Sequence, residues 1–317
     1  MSIAWVFPGQ GAQYVGMAKN LCDLHSVARE AIAQADDALG FALSQLIFSG
    51  PEEELRLTYN TQPAILACSV ACARVLRETA PGFKPDYVAG HSVGEYTALV
   101  VSGALEYADA LRLVRARGHF MDEAVPAGTG AMAAVIGADL TALEELCANI
   151  ATQMGEVVEV ANVNCPGQLV VSGKAAAVAA LVGRAKEAGA RRALPLAVSG
   201  PFHSSLMEPA RVKLEPLLDG LAISAVSAPL VANVTGAVVA APGEIRAALA
   251  KQVARPVLWE ASVRTMSELG VHTFVEVGPG TVLSGLIKKT VEGAQILHVE
   301  DEASLQQVLG QAMGAGR

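Results

Sequence analysis

Ser92 lies in the run Gly90-His91-Ser92-Val93-Gly94. This G-x-S-x-G pattern marks a sharp strand-to-helix turn that lifts a serine hydroxyl to its tip. A hydroxyl so placed can attack a carbonyl carbon, given a base within hydrogen-bond reach and two N–H groups facing the oxyanion that forms. The pattern alone is weak in a chain with 30 glycines, so its surroundings must decide. Tyr87-Val88-Ala89-Gly90 reads as a short apolar strand and Val93 onward as a helix, which is the strand–turn–helix order the chemistry needs.

Six histidines compete for the role of base. His25 and His298 read as exposed or capping residues. His119 lies in a helix rich in arginine (Arg112, Arg115, Arg117) and reads as structural. His91 adjoins the nucleophile, where neighbouring side chains diverge. His203 follows a Gly-Pro turn in Val198-Ser199-Gly200-Pro201-Phe202-His203-Ser204, a setting that projects a side chain into a cleft. His272 is its rival: a late histidine matches the hydrolase order serine, acid, histidine, although hydrolases place it on a loop after a strand and His272 precedes one. The residues favour His203 and leave His272 open.

The elements that must position these groups follow from apolar patterning. Residues 3–7 form a buried strand ending in the turn Pro8-Gly9-Gln10-Gly11. Residues 17–40 have helical character, Pro63 to Thr79 form a buried helix, and Leu105 to about Met121 form the arginine helix. After Pro126 the texture changes. Strand 131–136, a helix opened by Asp139, strands 157–163 and 168–172, a helix over 175–188 and a strand over 192–197 follow in βαββαβ order, a ferredoxin-like arrangement. The expected fold is therefore α/β. A large α/β-hydrolase-like domain with a parallel sheet and nucleophile elbow comprises residues 1–126 and 199–317, and a ferredoxin-like small domain comprises 127–198. Strands near 229–233 and 273–277 return the chain to the large sheet, and residues 310–317 read as a frayed tail.

Composition bounds the rest. The chain has 317 residues, 52% hydrophobic and 17% charged, enough to build a large core. Five cysteines without a CxxC pair read as buried hydrophobes in a reducing compartment, and no metal site is expected. The net charge of −8 offers nucleic acid no general attraction. No signal peptide or membrane span is visible, so a cytoplasmic protein is expected.

Six blocks in register carry a resemblance. Phe7–Gln13 (FPGQGAQ), Gly90–Leu99 (GHSVGEYTAL), Gly128–Ala133 (GTGAMA), Ala161–Gly173 (ANVNCPGQLVVSG), Pro201–Met207 (PFHSSLM) and Glu276–Gly280 (EVGPG) resemble the motifs of malonyl-CoA:acyl carrier protein transacylases over nearly the whole chain. Ala12, Val93 and Cys165 depart from the usual residues without touching a group the chemistry requires.

The resemblance implies Ser92 as nucleophile, His203 as base and then acid, and the N–H groups of Gln10 and Val93 as oxyanion hole. It implies that the backbone carbonyl of Gln252 orients His203 in place of an acid. No Asp or Glu lies in an obvious loop between Ser92 and His203, and Glu276 reads as a strand end. It further implies Arg117 as the partner of the malonyl carboxylate, Phe202 as a residue selecting malonyl, and Asn162 with Asn164 at the mouth of the cleft. Arg112 and Arg115 are expected to be ordinary surface.

The implied enzyme binds no cofactor of its own. It takes malonyl-CoA as donor and the phosphopantetheine thiol of an acyl carrier protein as acceptor, in fatty acid or polyketide synthesis, and is expected to be a monomer. Carriers are acidic, so docking needs a local basic patch, with Lys174, Arg191, Arg192, Lys288 and Lys289 as candidates. A serine hydrolase or thioesterase would share the acyl-enzyme but have no need of Arg117, and a non-catalytic carrier-binding module would need none of Ser92, His203 and Arg117.

Overall fold

The structure, a computed structural model, describes residues 2–314. Its larger sheet has six strands in the order β10-β9-β1-β2-β7-β8, where β1 is Ser2–Phe7, β2 Tyr87–Gly90, β7 Leu230–Val231, β8 Val238–Val239, β9 Val271–Val277 and β10 Gln295–Val299. All neighbours pair in parallel except β7 with β8. The central strands are apolar on both faces because helices cover both sides of a parallel sheet. Parallel pairing also brings the turns after β1, β2, β7 and β9 to one edge, and Phe7 stands opposite Gly90. Ligands bind at this carboxyl edge in open α/β sheets.

Between β2 and β7 the chain builds a second, antiparallel sheet in the order β4-β5-β3-β6, where β3 is Gly130–Ile136, β4 Val158–Cys165, β5 Gln168–Lys174 and β6 Arg192–Pro195. The βαββαβ order appears with helices Leu140–Met154 and Ala175–Arg184, the first capped by the Asp139 side chain, which accepts from the Ala142 N–H at 3.0 Å. Alternation assigns the two faces of the sheet. Ala133, Val135, Leu169 and Val171 pack on those helices, whereas Met132, Ala161 and Val170 join the core of the larger layer. The edge strand β4 is stitched to the segment after Gln252: Val163 N–H donates to the Val257 carbonyl, and Val257 N–H donates to the Ala161 carbonyl, both at 2.9 Å.

Several elements differ from expectation. The helix expected from Pro63 begins at Thr58. Pro63 removes one hydrogen bond near its start, while Thr61 Oγ1 anchors that start on the Leu55 carbonyl. The strand expected over 192–197 stops at Pro195, and that over 229–233 is only Leu230–Val231. The helix Glu302–Gly314 runs through most of the expected frayed tail, and the remainder of that tail lies outside the described residues. The five cysteines are buried and unbridged.

Gly94 shows why the elbow tolerates no side chain there: a Cβ would stand 2.1 Å from the Phe7 carbonyl oxygen. Gly94→Ala must push the elbow helix (Gly94–Val101) away from the end of β1, and overpacking of this kind costs about 1–3 kcal/mol. A urea unfolding midpoint equal to that of the parent protein would contradict this close approach.

Candidate active site

Ser92 caps the turn between β2 and the elbow helix with a left-handed φ of 52°, a conformation that costs a non-glycine residue free energy and persists only when its surroundings hold it. Asn233, at the turn after β7, supplies that hold. Its Oδ1 accepts the Ser92 N–H at 2.8 Å and its Nδ2 donates to the Gly90 carbonyl at 2.7 Å, so one side chain clamps both sides of the elbow. Its own N–H donates to Glu95 Oε2 at 2.8 Å.

His203 also has positive φ, 57°, and turns its ring toward Ser92. Ser92 Oγ lies 2.8 Å from His203 Nε2 and 2.9 Å from Arg117 Nη2. A guanidinium can only donate, so Oγ accepts from Arg117 and gives its own hydrogen to Nε2. The tautomer follows: Nδ1 carries the proton and donates to the Gln252 carbonyl oxygen at 2.9 Å. Burial lowers the His203 pKa to about 3, with the Arg117 charge as a second cause and the Gln252 carbonyl opposing both. The imidazole is neutral and ready to accept a proton.

Arg117 is 1% exposed, and burial lowers its pKa too. It comes from the helix Tyr107–Glu123, which approaches the helix Thr58–Thr79 so closely that a Cβ on Gly118 would stand 2.5 Å from the Tyr59 Cα. That approach brings Arg117 Nη1 to Gln62 Oε1 at 2.7 Å. Nη2 reaches Gln252 Oε1 at 2.9 Å as well as the serine, and the guanidinium lies over the Tyr96 ring. Every partner is neutral. Among the described residues no carboxylate pairs with this buried cation, and its Nε is without a partner.

Gln252 therefore serves twice. Its carbonyl holds the histidine, while its side chain accepts from Arg117 and donates to the Ser92 carbonyl at 3.0 Å. Gln10 and Val93 line the same cavity as Ser92, Arg117 and His203, and among the described residues neither backbone N–H donates a hydrogen bond. Phe202, Asn162, Met121 and Met132 are also among the residues that line it. A second cleft adjoins it, sharing Gln10, His91 and Asn162, and extends past Asn164 to the helix Val282–Thr290. Asn164 Oδ1 is 3.0 Å from His91 Nε2.

The other histidines lie elsewhere. His272 is an exposed residue within β9, His119 stacks on Tyr59, and His25 pairs with Glu302 at 2.7 Å. Arg112 and Arg115 do not reach the cavity: Arg112 pairs with Asp109, and Arg115 lies over the Phe41 ring. Sequence reasoning missed Gln62, Glu95, the clamping role of Asn233 and the side chain of Gln252. Glu95 lies within the run Gly90–Leu99, and Asn233 ends the strand expected over 229–233. Gln62 carried no local signal, because its role depends on how two helices pack. No group of His, Cys, Asp and Glu that could hold a metal ion occurs among the described residues, and no helix there is long and apolar enough to cross a membrane.

Residues 4–312 match the acyl transferase domain family. The chain is 47% identical over 304 residues to the malonyl CoA-acyl carrier protein transacylase of Bacillus subtilis, covering 96% of this chain and 95% of that protein. It also resembles the solved acyl-carrier-protein S-malonyltransferase of Burkholderia pseudomallei, with 45% identity, a TM-score of 0.94, and coverage of 98% of this chain and 100% of the other. A chain from a solved complex of a type II PKS acyl-carrier protein with its malonyl-transacylase superposes with a TM-score of 0.95 at 44% identity, over 98% of this chain and 100% of that one.

Proposed function

The chain belongs to the acyl transferase family, and from that premise we propose that it moves a malonyl group from malonyl-CoA to the phosphopantetheine thiol of an acyl carrier protein, in fatty acid or polyketide synthesis. The observation that carries this reading is Arg117, a buried cation with only neutral partners, 2.9 Å from the nucleophile. A substrate bearing its own carboxylate supplies the anion that no direct contact of Arg117 provides, and a charge-assisted, two-pronged pair is the strong way to hold it.

In the first half-reaction Ser92 Oγ attacks the thioester carbon and its proton passes to His203 Nε2. The oxyanion is met by the N–H groups of Gln10 and Val93, whose free donors support that role. The C–S bond breaks, and His203 returns the proton to the departing sulfur. The second half-reaction runs in reverse with the carrier's thiol as attacker. A thiol is a better leaving group than an amine, so the imidazolium needs less support, and a backbone carbonyl at Nδ1 suffices in place of a carboxylate.

Residues 127–198 act as a unit covering the cleft, contributing Met132 and Asn162 to its wall. Phe202 narrows the acyl end, the adjoining cleft past Asn164 admits the phosphopantetheine arm, and Lys288 and Lys289, in the last turn of the helix bordering it, suit an acidic carrier. The protein works without a bound cofactor and as a monomer in the cytoplasm.

Brief mixing with malonyl-CoA followed by intact-mass measurement tests the reading. A malonyl adduct that persists in water and leaves when a holo carrier protein is added supports transfer. Rapid decay without the carrier points to a hydrolase, and no adduct overturns the proposal.

A pH profile adds a second test. The His203 pKa lies far below its ordinary value of 6.5, so lowering the pH through 6.5 does not protonate the base. The kcat/KM for malonyl-CoA is expected to show no acid-side fall between pH 7 and pH 5. A fall centred near 6.5 would mean that the reactive histidine is not the buried one. A malonyl carboxylate on Arg117 also offsets the charge that depresses His203, so the base strengthens once substrate is bound.

A further inference from the structure

Glu95, three residues past the nucleophile on the elbow helix, is a carboxyl group with 0% exposure. Its Oε2 accepts the Asn233 N–H, and its Oε1 has no hydrogen-bond partner. A carboxylate so buried stays ionised only with a positive charge nearby. The Arg117 charge acts on it, and Arg117 has no carboxylate in direct contact. Gln252 and Asn233 link the two: Gln252 Oε1 accepts from Arg117 Nη2 at 2.9 Å, and Gln252 Nε2 lies 3.4 Å from Oδ1 of Asn233, whose N–H donates to Glu95 Oε2.

The two are therefore opposite charges in one desolvated site, separated by neutral amides. Burial raises the Glu95 pKa to about 7, against the pull of the Asn233 N–H, the Gln252 amide and the Arg117 charge. Few other groups bear on it. Tyr96 adjoins it on the same helix with its pKa raised by burial to about 12, and is neutral. The neighbouring β1 and β7 carry no titratable side chain, and β2 carries only Tyr87, at its far end from the elbow. On the helix Thr58–Thr79, Arg74 lies over Tyr107 and Arg77 bonds the Val101 carbonyl. Burial keeps His91 and His203 neutral.

We propose that Glu95 is the resident counter-charge of Arg117, and that it takes up a proton from solvent when a substrate carboxylate pairs with that guanidinium. The inference rests on the malonyl-transfer reading and deepens it. Once the incoming carboxylate neutralises Arg117, the Glu95 anion is left without compensation in a medium that penalises it. Protonation restores the charge of the site. The acylation step keeps its own balance, with the Oγ–C bond formed, the C–S bond broken and the serine proton delivered to sulfur through His203. The proton on Glu95 is additional and comes from water. Glu95 acts here as a positioning residue that tunes Arg117 and does not touch substrate. Because ionised Glu95 competes with the substrate's carboxylate for the same cation, KM for malonyl-CoA should climb above pH 7, approaching tenfold per unit, while kcat does not.

The test counts protons per adduct. Enzyme and stoichiometric malonyl-CoA are mixed with a pH indicator in weak buffer at pH 8 and at pH 6, and the adduct is quantified by intact mass. Expected is uptake of most of one proton per adduct at pH 8, little at pH 6, and an adduct without uptake in Glu95→Gln. The released CoA thiol contributes equally in both proteins, so their difference isolates Glu95. A full adduct at pH 8 with no uptake overturns the proposal, as does equal uptake in Glu95→Gln. If that variant fails to fold, the parent protein still decides, because an acetyl adduct formed with the same uptake would show that the proton does not answer to the carboxylate. Absence of any adduct would instead fell the transfer reading, which the mass measurement detects separately.

Discussion

Ser92→Ala protein mixed with malonyl-CoA is expected to keep its unmodified mass, and turnover with carrier protein to fall by on the order of 10⁴-fold or more. The reason is chemical and local. Removing Oγ removes the atom that receives the acyl group, while the elbow keeps its clamp, because Asn233 Oδ1 holds the Ser92 backbone N–H and Gln252 Nε2 holds the Ser92 carbonyl. Neither contact uses the hydroxyl. The variant should therefore unfold near the temperature of the parent protein, which separates lost chemistry from lost structure. Arg117 Nη2 loses one acceptor but retains Gln252 Oε1, and His203 retains the Gln252 carbonyl. An adduct on Ser92→Ala protein would move the nucleophile elsewhere.

Arg117→Ala should reduce kcat/KM for malonyl-CoA by roughly 10²-fold or more, and that for acetyl-CoA far less. Leaving a buried carboxylate without its partner costs about 2–5 kcal/mol, a penalty that the acetyl group, having no carboxylate, does not incur. Part of the loss is common to both donors, since Arg117 also donates to Ser92 Oγ. The ratio of the two losses isolates the carboxylate, and the acetyl loss alone reports on serine activation. Equal losses for both donors would reduce Arg117 to an aid to the nucleophile and remove the basis for malonyl as substrate. The truncation also strips a partner from Gln62 Oε1 and Gln252 Oε1, so a folded, monodisperse variant is the necessary control.

The two expectations draw on different parts of the molecule. Ser92 is presented by a contiguous strand–turn–helix whose glycines are visible in the sequence. Arg117 could be assigned a substrate role only through a resemblance, since in isolation a run with Arg112, Arg115 and Arg117 reads as a solvated basic face. What distinguishes Arg117 from its neighbours is the burial of one side of that helix against Thr58–Thr79, which turns Arg112 to Asp109 and Arg115 to Phe41 and leaves Arg117 facing the cavity.

Read by itself, the amino-acid sequence determined what depends on neighbours along the chain. That includes the buried parallel strand at 3–7, the elbow at Ser92, the βαββαβ order after Pro126 and the turn at Pro201 that presents His203, because turn chemistry and apolar period are local properties. Only the tertiary structure set His203 Nε2 2.8 Å from Ser92 Oγ and left His272 exposed on β9, and only it showed Asn233 clamping the elbow, Gln252 holding histidine and arginine at once, and Glu95 fully buried with one carboxyl oxygen unpartnered. Those relations span 111 residues from Ser92 to His203 and 141 from Ser92 to Asn233. They exist because parallel pairing gathers the ends of distant strands at one edge of the sheet, and strand order is set by the sum of many weak packing choices that no short stretch of sequence contains.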